Sequence, residues 1–86
     1  MSEYKRGQKI EIEWIDAVAT GGWGSPEEKR EEALKQSKTA TIGYVISDDD
    51  ESIHVAQNAV EGFDRVADTM WIPKTMIRAV HLLRRQ

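Results

Sequence analysis

The chain has no cysteine, which excludes disulfide bonds and thiolate metal sites and is typical of a protein kept in a reducing compartment. It also lacks any apolar run near the roughly 20 residues that a membrane span requires. Its first residues, MSEYKR, lack the apolar core of a signal peptide. We therefore expect a cytoplasmic protein that makes no contact with a membrane.

A strong excess of positive charge is missing as well. The net charge is −3, which disfavours general binding to nucleic acid, because such binding depends on neutralising phosphates. The charges are separated along the chain: residues 45–64 carry six acids and no Lys or Arg, whereas residues 69–86 carry only basic charges. This polarity is compatible with head-to-tail self-association or capture of an anion, but a solvated acidic turn followed by a solubilising tail is the favoured interpretation.

Length and periodicity predict one small β-rich domain covering residues 1–86, with a loose N-terminus at residues 1–7. Lys9–Trp14 alternates apolar and acidic side chains, as a half-buried strand does, and a bulge is expected near Trp14, Ile15 and Asp16. Four further strands are predicted at residues 39–46, 52–60, 69–72 and 77–83.

A helix is predicted over residues 25–36, inside the long connection after the first strand. Ser25 is a natural N-cap, Pro26 suits the first helical position, and Glu28 falls where a capping partner belongs. Only Ala33 and Leu34 can pack, so we expect this helix to lean on the sheet through those two residues.

Residues 69–80 form the stretch that organises the architecture. Pro73 cannot continue a strand but can open a helical turn, and bulky apolar residues flank it on both sides. A strand, a short turn and a second strand of this kind close small barrels. We therefore predict a mostly β protein, a single five-stranded Src-homology-3-like barrel with a helical turn at Pro73. The Sm-like barrel is the nearest competitor, but it usually opens with a helix.

The sequence also resembles a set of small uncharacterised bacteriophage proteins over roughly residues 10–82. The resemblance is carried by four pieces in order: Trp14-x-Asp16-Ala17 with Gly22-Trp23; Gly43-Tyr44-Val45 running into Asp49-Asp50-Glu51; Val55-Ala56-Gln57; and Asp68 to Lys74 with Ile77. It implies a phage origin and a barrel, and it brings no catalytic residue. Small phage proteins outside the virion commonly disable a host factor, either a protein or a nucleotide immune signal.

Residue patterns typical of catalysis or metal binding are missing. The acidic run 48–51 lacks the glycine and the alternate spacing of a calcium loop. His54 and His81 are far apart and have no accompanying acid or cysteine pattern. The glycines around Trp23 lack the lysine and the preceding strand of a phosphate-binding loop. We expect neither an enzyme nor a cofactor.

Two tryptophans are candidates for ligand binding. Trp23 lies among glycines and either plugs one end of the barrel, the favoured interpretation, or stands exposed as a stacking platform. Trp71 must face outward if Met70 and Ile72 face inward, which places it near the basic residues of the last strand.

Charged candidates complete the predicted site. Lys74, Arg78 and Arg6 are the cations suited to phosphates. Asp16 is expected to accept hydrogen bonds from its own glycine-rich loop, or secondarily to bind a ribose hydroxyl or a base edge.

These observations favour a non-enzymatic binding protein that sequesters or inhibits a host factor. The leading ligand is a nucleotide immune signal, of the cyclic nucleotide or ADP-ribose type. The alternatives are an inhibitor that binds a host protein, and a nucleic-acid or structural accessory barrel of phage replication. We also expect a homo-oligomer, because the last two strands carry more apolar side chains than so small a domain can hide.

Overall fold

The computed structural model describes residues 3–15, 21–35 and 38–84. Its elements are, in order, β1 (Lys9–Trp14), α1 (Pro26–Leu34), β2 (Thr39–Asp48), β3 (Ser52–Ala59), β4 (Val66–Pro73), a one-turn 3-10 helix (Lys74–Met76) and β5 (Ile77–Leu82). All five strands form one antiparallel sheet in the order β4-β3-β2-β1-β5. The predicted mostly β architecture, the single helix after the first strand and the helical turn at Pro73 are confirmed. Among the described residues β4 and β5 are not paired with each other, so the sheet is open.

The core lies on one face of this sheet. Alternation along each strand turns every second side chain inward, and six buried branched apolar side chains form a single cluster: Ile10, Ile12, Val45, Ile53, Val55 and Ile72. Tyr4, Trp14, Ile77 and Val80 are partly buried and pack against it. Trp14, which continues the apolar alternation of Ile10 and Ile12, lies at the margin of the core, where its indole Nε1 donates a hydrogen bond of 2.9 Å to Thr41 Oγ1.

Two register shifts bend the sheet. One lies between Glu13 and Trp14 in the β1–β5 ladder, next to the position where the sequence predicts a bulge. The other lies between Val45 and Ser47 in the β2–β3 ladder, so that Ile46 has no partner in the register. An extra residue of this kind increases the local twist and re-aims the neighbouring side chains.

Gly43 is buried at a close approach of β2 to β3. A Cβ at this position would lie 2.9 Å from the Ala56 carbonyl oxygen and 3.1 Å from Val55 Cβ. Neither atom belongs to a flexible side-chain end, so the two strands would have to separate.

Gly43→Ala is therefore expected to lower the free energy of unfolding by about 1–3 kcal/mol, the usual cost of overpacking. Denaturant titration measures the change. Gly21→Ala is the matched control, since a Cβ at Gly21 meets nothing within 4 Å. Equal stability of the two variants would contradict the close approach.

The segment before β1 is held in place, unlike the loose N-terminus predicted for residues 1–7. The Gly7 amide donates to the Val45 carbonyl at 2.9 Å, and the Val45 amide donates to the Gln8 carbonyl at 2.8 Å. Nearer the N-terminus, the amides of Glu3 and Tyr4 donate to one carboxylate oxygen of Asp48. Residues 3–8 thus extend alongside β2.

Helix α1 begins as the sequence predicts, but its side chains are exposed in the described part of the chain. Ser25 accepts a hydrogen bond from the Glu28 amide and caps the helix, with Pro26 at its start. The helix ends at Leu34, and the predicted last position, residue 36, lies outside the described residues. No residue of α1 is buried and Leu34 is 67% exposed. The prediction that Ala33 and Leu34 pack on the sheet is wrong.

Strand β4 begins at Val66, where the sequence predicts a connecting loop over residues 61–68. Two side-chain-bearing residues of this region have left-handed backbone, Phe63 (φ 63°) and Asp68 (φ 56°). Asp68 lies within edge strand β4, and its Oδ2 accepts a hydrogen bond of 2.7 Å from the Asn58 side chain on β3. A bulky residue such as Phe63 seldom adopts this conformation, so the loop is strained.

Candidate functional site

A buried ion pair joins the end of β2 to the 3-10 turn. Lys74 Nζ lies 2.6 Å from Asp48 Oδ1, and the other carboxylate oxygen accepts the amides of Glu3 (2.7 Å) and Tyr4 (2.9 Å). The Asp48 side chain is only 1% exposed and that of Lys74 is 32% exposed. Asp48, which the sequence assigns to a solvated turn, therefore anchors the N-terminal segment and the turn after Pro73 to the sheet.

The pKa values around this pair follow from its contacts. Burial raises the pKa of Asp48, but the Lys74 ammonium and the two backbone N–H donors lower it by more, so the carboxyl is held below its usual range. The pKa of the Tyr4 phenol is raised, first by burial and then by the negative charges of Glu3 and Asp48. The Asp48 carboxyl is therefore ionised at neutral pH.

Lys74 is consequently a poor phosphate ligand. Its charge is neutralised by Asp48. The pKa of Asp49 in the adjoining turn is lowered mainly by hydrogen bonds from the Glu51 and Ser52 amides, with a smaller contribution from the Lys74 charge. An anion placed at Lys74 would meet this group of carboxylates. Lys74, predicted as a ligand-binding cation, is therefore a structural residue that pairs with Asp48.

Trp71 faces outward, as the sequence predicts. Its neighbour Ile72 is 1% exposed on the inner face, whereas Trp71 is 56% exposed. Met70 also faces inward, opposite Val55, but because β4 is an edge strand it stays 39% exposed. Trp71 thus offers a half-uncovered indole face on the outer side of the sheet.

A row of polar side chains leads from Trp71 across the outer face. Trp71 on β4 is opposite His54 on β3, and His54 is opposite Ser47 on β2. Directly opposed side chains in an antiparallel sheet have Cβ atoms about 4.5–5.5 Å apart. The row therefore spans two strand spacings, about 9–10 Å. Sequence reasoning missed His54 and Ser47 because only the strand register brings them beside Trp71.

Arg6 ends this row on the β2 side. Its Nε donates a hydrogen bond of 3.1 Å to the carbonyl of Ile46, the residue without a partner in the β2–β3 register. This hydrogen bond brings Arg6 to the residue before Ser47 and uses one of the five N–H donors of its guanidinium. Together Trp71, His54, Ser47 and Arg6 form what we call the outer-face row.

The remaining predicted site residues are not part of the outer-face row. Arg78 lies on β5, the opposite edge of the sheet, and its Nη1 donates to the carbonyls of Thr75 and Ile77. Trp23 is fully exposed before α1, so its prediction as a plug is wrong. Asp16 lies outside the described residues.

His81 has an acidic partner that the sequence did not reveal. Its Nε2 lies 2.8 Å from Glu13 Oε2, across the β1–β5 ladder. The hydrogen bond from His81 is the main cause of the lowered pKa of Glu13. Residues 13 and 81 are 68 positions apart in the sequence, and strand pairing alone joins them.

Further apolar surface lies along the β3–β4 hairpin. Val60 and Val66 are exposed, and they line an open cleft of about 380 Å³ together with Asn58, Arg65 and neighbouring alanines. Among the described residues, no group of three His, Asp or Glu side chains is placed to hold a metal ion. No helix in the described ranges has both the length and the apolar character needed to cross a membrane.

The class of molecule defined so far is a small mostly β protein with one five-stranded antiparallel sheet, a projecting helix and a polar row on its outer face. Comparisons of the chain with models of known protein families, with curated proteins and with solved structures find no match.

Proposed function

We propose that the chain is a non-enzymatic binding protein that sequesters a small anionic ligand with an aromatic base, and that the outer-face row is its site. The observation that carries this proposal is the placement of Trp71, His54 and Ser47 in one row across three strands, with Arg6 fixed at its end. An aromatic face and several donors therefore lie within about 10 Å of each other.

Each member of the row has a distinct part in binding. Trp71 stacks on the base, which is sequence-tolerant because every base has a π face. His54 and Ser47 donate hydrogen bonds, and a neutral imidazole still has one N–H to donate. Arg6 supplies the fixed positive charge for a phosphate. In the described part of the chain no hydrogen bond joins Ser47 to His54, so we propose that the ligand is held and not transformed.

The ligand class that fits is a cyclic nucleotide or an ADP-ribose derivative. In the setting implied by the resemblance to phage proteins, such binding removes a host immune signal from the cytoplasm. This setting depends on the sequence resemblance alone.

We further propose that the sheet curls into a Src-homology-3-type barrel. Ile53 on β3 and Ile77 and Val80 on β5 line one cavity of about 270 Å³, although β3 and β5 are three strands apart in the ladder. A flat sheet would separate them by about 14 Å. Methyl–methyl nuclear Overhauser effects between Ile53 and Ile77 test this proposal, and an extended sheet would give none.

Replacing Trp71 with alanine is expected to weaken nucleotide binding by about 1–3 kcal/mol, the value of one lost base stack. Calorimetry with cyclic mononucleotides, cyclic dinucleotides and ADP-ribose measures the effect. Trp23→Ala is the matched control and should leave affinity unchanged, because Trp23 lies in the glycine-rich loop before α1, outside the outer-face row.

Two further variants show whether Arg6 supplies the charge that binds the phosphate. Arg6→Ala should weaken binding and reduce its dependence on salt, whereas the neighbouring Lys5→Ala should do neither. Binding of oligonucleotides with a steep salt dependence would indicate a nucleic-acid accessory. If calorimetry detects no binding heat with any of the nucleotides, the sequestration proposal is wrong.

A host protein is the second candidate for the ligand. Val66 and Met70 are exposed on the same edge strand as Trp71, so β4 carries more exposed apolar surface than one base covers. Aromatic residues surrounded by apolar groups are typical hot spots of protein interfaces. A photo-crosslinking residue at position 71 should then capture one host protein, and the same residue at position 31 on α1 should not.

A further inference from the structure

A tight turn before β1 carries Arg6 to the end of the outer-face row. The Gln8 amide donates a hydrogen bond of 3.1 Å to the Lys5 carbonyl, and the Gln8 side chain accepts the Lys5 amide at 2.8 Å. Arg6 and Gly7 are the two central residues of this turn, and Gly7 has a left-handed backbone (φ 92°). A left-handed third residue is the feature of a type II turn, where glycine is preferred because it has no Cβ.

The chain is fixed to β2 on both sides of this turn. On one side, the amides of residues 3–4 bind the Asp48 carboxylate at 2.7 and 2.9 Å. On the other side, the Gly7 amide donates to the Val45 carbonyl at 2.9 Å and the Val45 amide donates to the Gln8 carbonyl at 2.8 Å. Because the segment cannot shift as a whole, a change in the backbone of residue 7 has to be taken up within the turn.

The space around Gly7 shows that only its backbone demands glycine. A Cβ at this position would have Phe63 Cδ2 as its nearest neighbour, at 4.0 Å, which is ordinary van der Waals contact. No clash therefore opposes a side chain here, but the left-handed conformation does, since it brings a Cβ too close to the following carbonyl oxygen. A residue with a side chain is expected to leave that conformation and to displace its neighbour Arg6.

We propose that Gly7 is a positioning residue of the outer-face row, whose left-handed backbone holds Arg6 where its guanidinium meets the phosphate of the ligand. This inference rests on the proposed function, which assigns the phosphate to Arg6. The bond from Arg6 Nε to the Ile46 carbonyl, 3.1 Å long, occupies one nitrogen of the guanidinium. In the described ranges Arg6 makes no other side-chain hydrogen bond or ion pair, so both terminal nitrogens remain for a phosphate, which arginine binds as a fork.

Calorimetry with three probes tests the proposal. Cyclic adenosine monophosphate and ADP-ribose carry phosphate, whereas adenosine has the same base and none. The wild type is expected to bind a phosphate-bearing probe at least about tenfold more tightly than adenosine, the low end of what a hydrogen bond to a charged group contributes. Gly7→Ala should lose most of this preference and keep the affinity for adenosine, which depends on Trp71.

Gly22→Ala is the matched control for Gly7→Ala. Gly22 is also left-handed (φ 81°), and a Cβ there meets nothing within 4 Å, but it lies in the loop before α1. This variant should keep the full preference for phosphate. Gly7→Asn should bind the phosphate-bearing probe more tightly than Gly7→Ala does, because asparagine tolerates the left-handed conformation better than alanine.

Two further measurements separate positioning from a general effect on the fold. The double variant Arg6→Ala, Gly7→Ala should bind the phosphate-bearing probe no more weakly than Arg6→Ala alone, whereas independent effects would add. Without ligand, the heteronuclear nuclear Overhauser effect at Arg6 Nε should exceed that at Arg30 Nε in the wild type and should fall in Gly7→Ala.

The outcomes distinguish this inference from the function on which it rests. If the wild type binds none of the three probes, the proposed function is wrong and the inference falls with it. If the wild type prefers phosphate and Gly7→Ala retains that preference, or if the effects of the two substitutions add, the inference alone is overturned. An unchanged Arg6 Nε signal in Gly7→Ala would overturn it as well.

Discussion

Ile72→Ala is expected to lower the free energy of unfolding by about 2–5 kcal/mol, because it leaves a cavity where β4 joins the core. Ile72 is 1% exposed and belongs to the central cluster with Ile53 of β3, its partner in the register. A domain of this length has a total stability of roughly 4–13 kcal/mol. The substitution is therefore expected to remove a large fraction of it.

Ile42→Ala is the control for this prediction, since it makes the same chemical change at a residue that is 51% exposed on β2. Its cost should stay below about 1 kcal/mol, because little apolar area leaves the interior. Urea titrations of the two variants compare the midpoints. Similar midpoints for both would show that β4 is not packed on the core.

Asp48→Ala is the second change with a large expected effect, a loss of about 2–4 kcal/mol. It leaves the Glu3 and Tyr4 amides without their acceptor and the Lys74 ammonium without its partner. The loss stays below that of a wholly buried pair because water reaches Lys74 and screens its charge. Glu51→Ala, an exposed acid of the same turn, should change stability little.

The same carboxylate predicts how stability depends on pH. Because the pKa of Asp48 is lower in the folded protein than in the unfolded chain, its contribution is complete above the unfolded pKa of about 3.9. It is lost as the pH falls through the lower, folded value. Asp48→Asn should therefore show a flatter loss of stability below about pH 4 than the wild type. Parallel acid-unfolding curves for the two proteins would contradict the buried ion pair.

Much of the fold could be predicted from local patterns. The alternation in Lys9–Trp14, the capping residues Ser25 and Pro26, and the strand-breaking Pro73 each act over a few residues, and the corresponding elements are present. The features that local patterns did not predict depend on contacts between distant segments. Residues 66–68 form a strand because they pair with β3, and Asp48 is buried because it binds amides some 45 positions away.

The candidate site was harder to predict, since it depends on contacts between distant segments. Trp71 could be placed outward from its neighbours alone. His54 and Ser47 join it only through the strand register, and Arg6 only through its bond to Ile46. Lys74 illustrates the opposite error: a cation that looks available in the sequence is paired with a carboxylate once the chain is folded.

The left-handed Asp68 in edge strand β4 has a consequence for solubility. An open sheet offers unpaired N–H and C=O groups that can template the addition of strands from other molecules, as in amyloid. Asp68 interrupts the unpaired backbone groups of β4 with its left-handed backbone, and its carboxylate accepts a hydrogen bond from Asn58. Pro73, which has no N–H, removes one donor at the end of the strand. These two residues thus protect the β4 edge of the sheet, where most side chains are exposed, against fibrous aggregation.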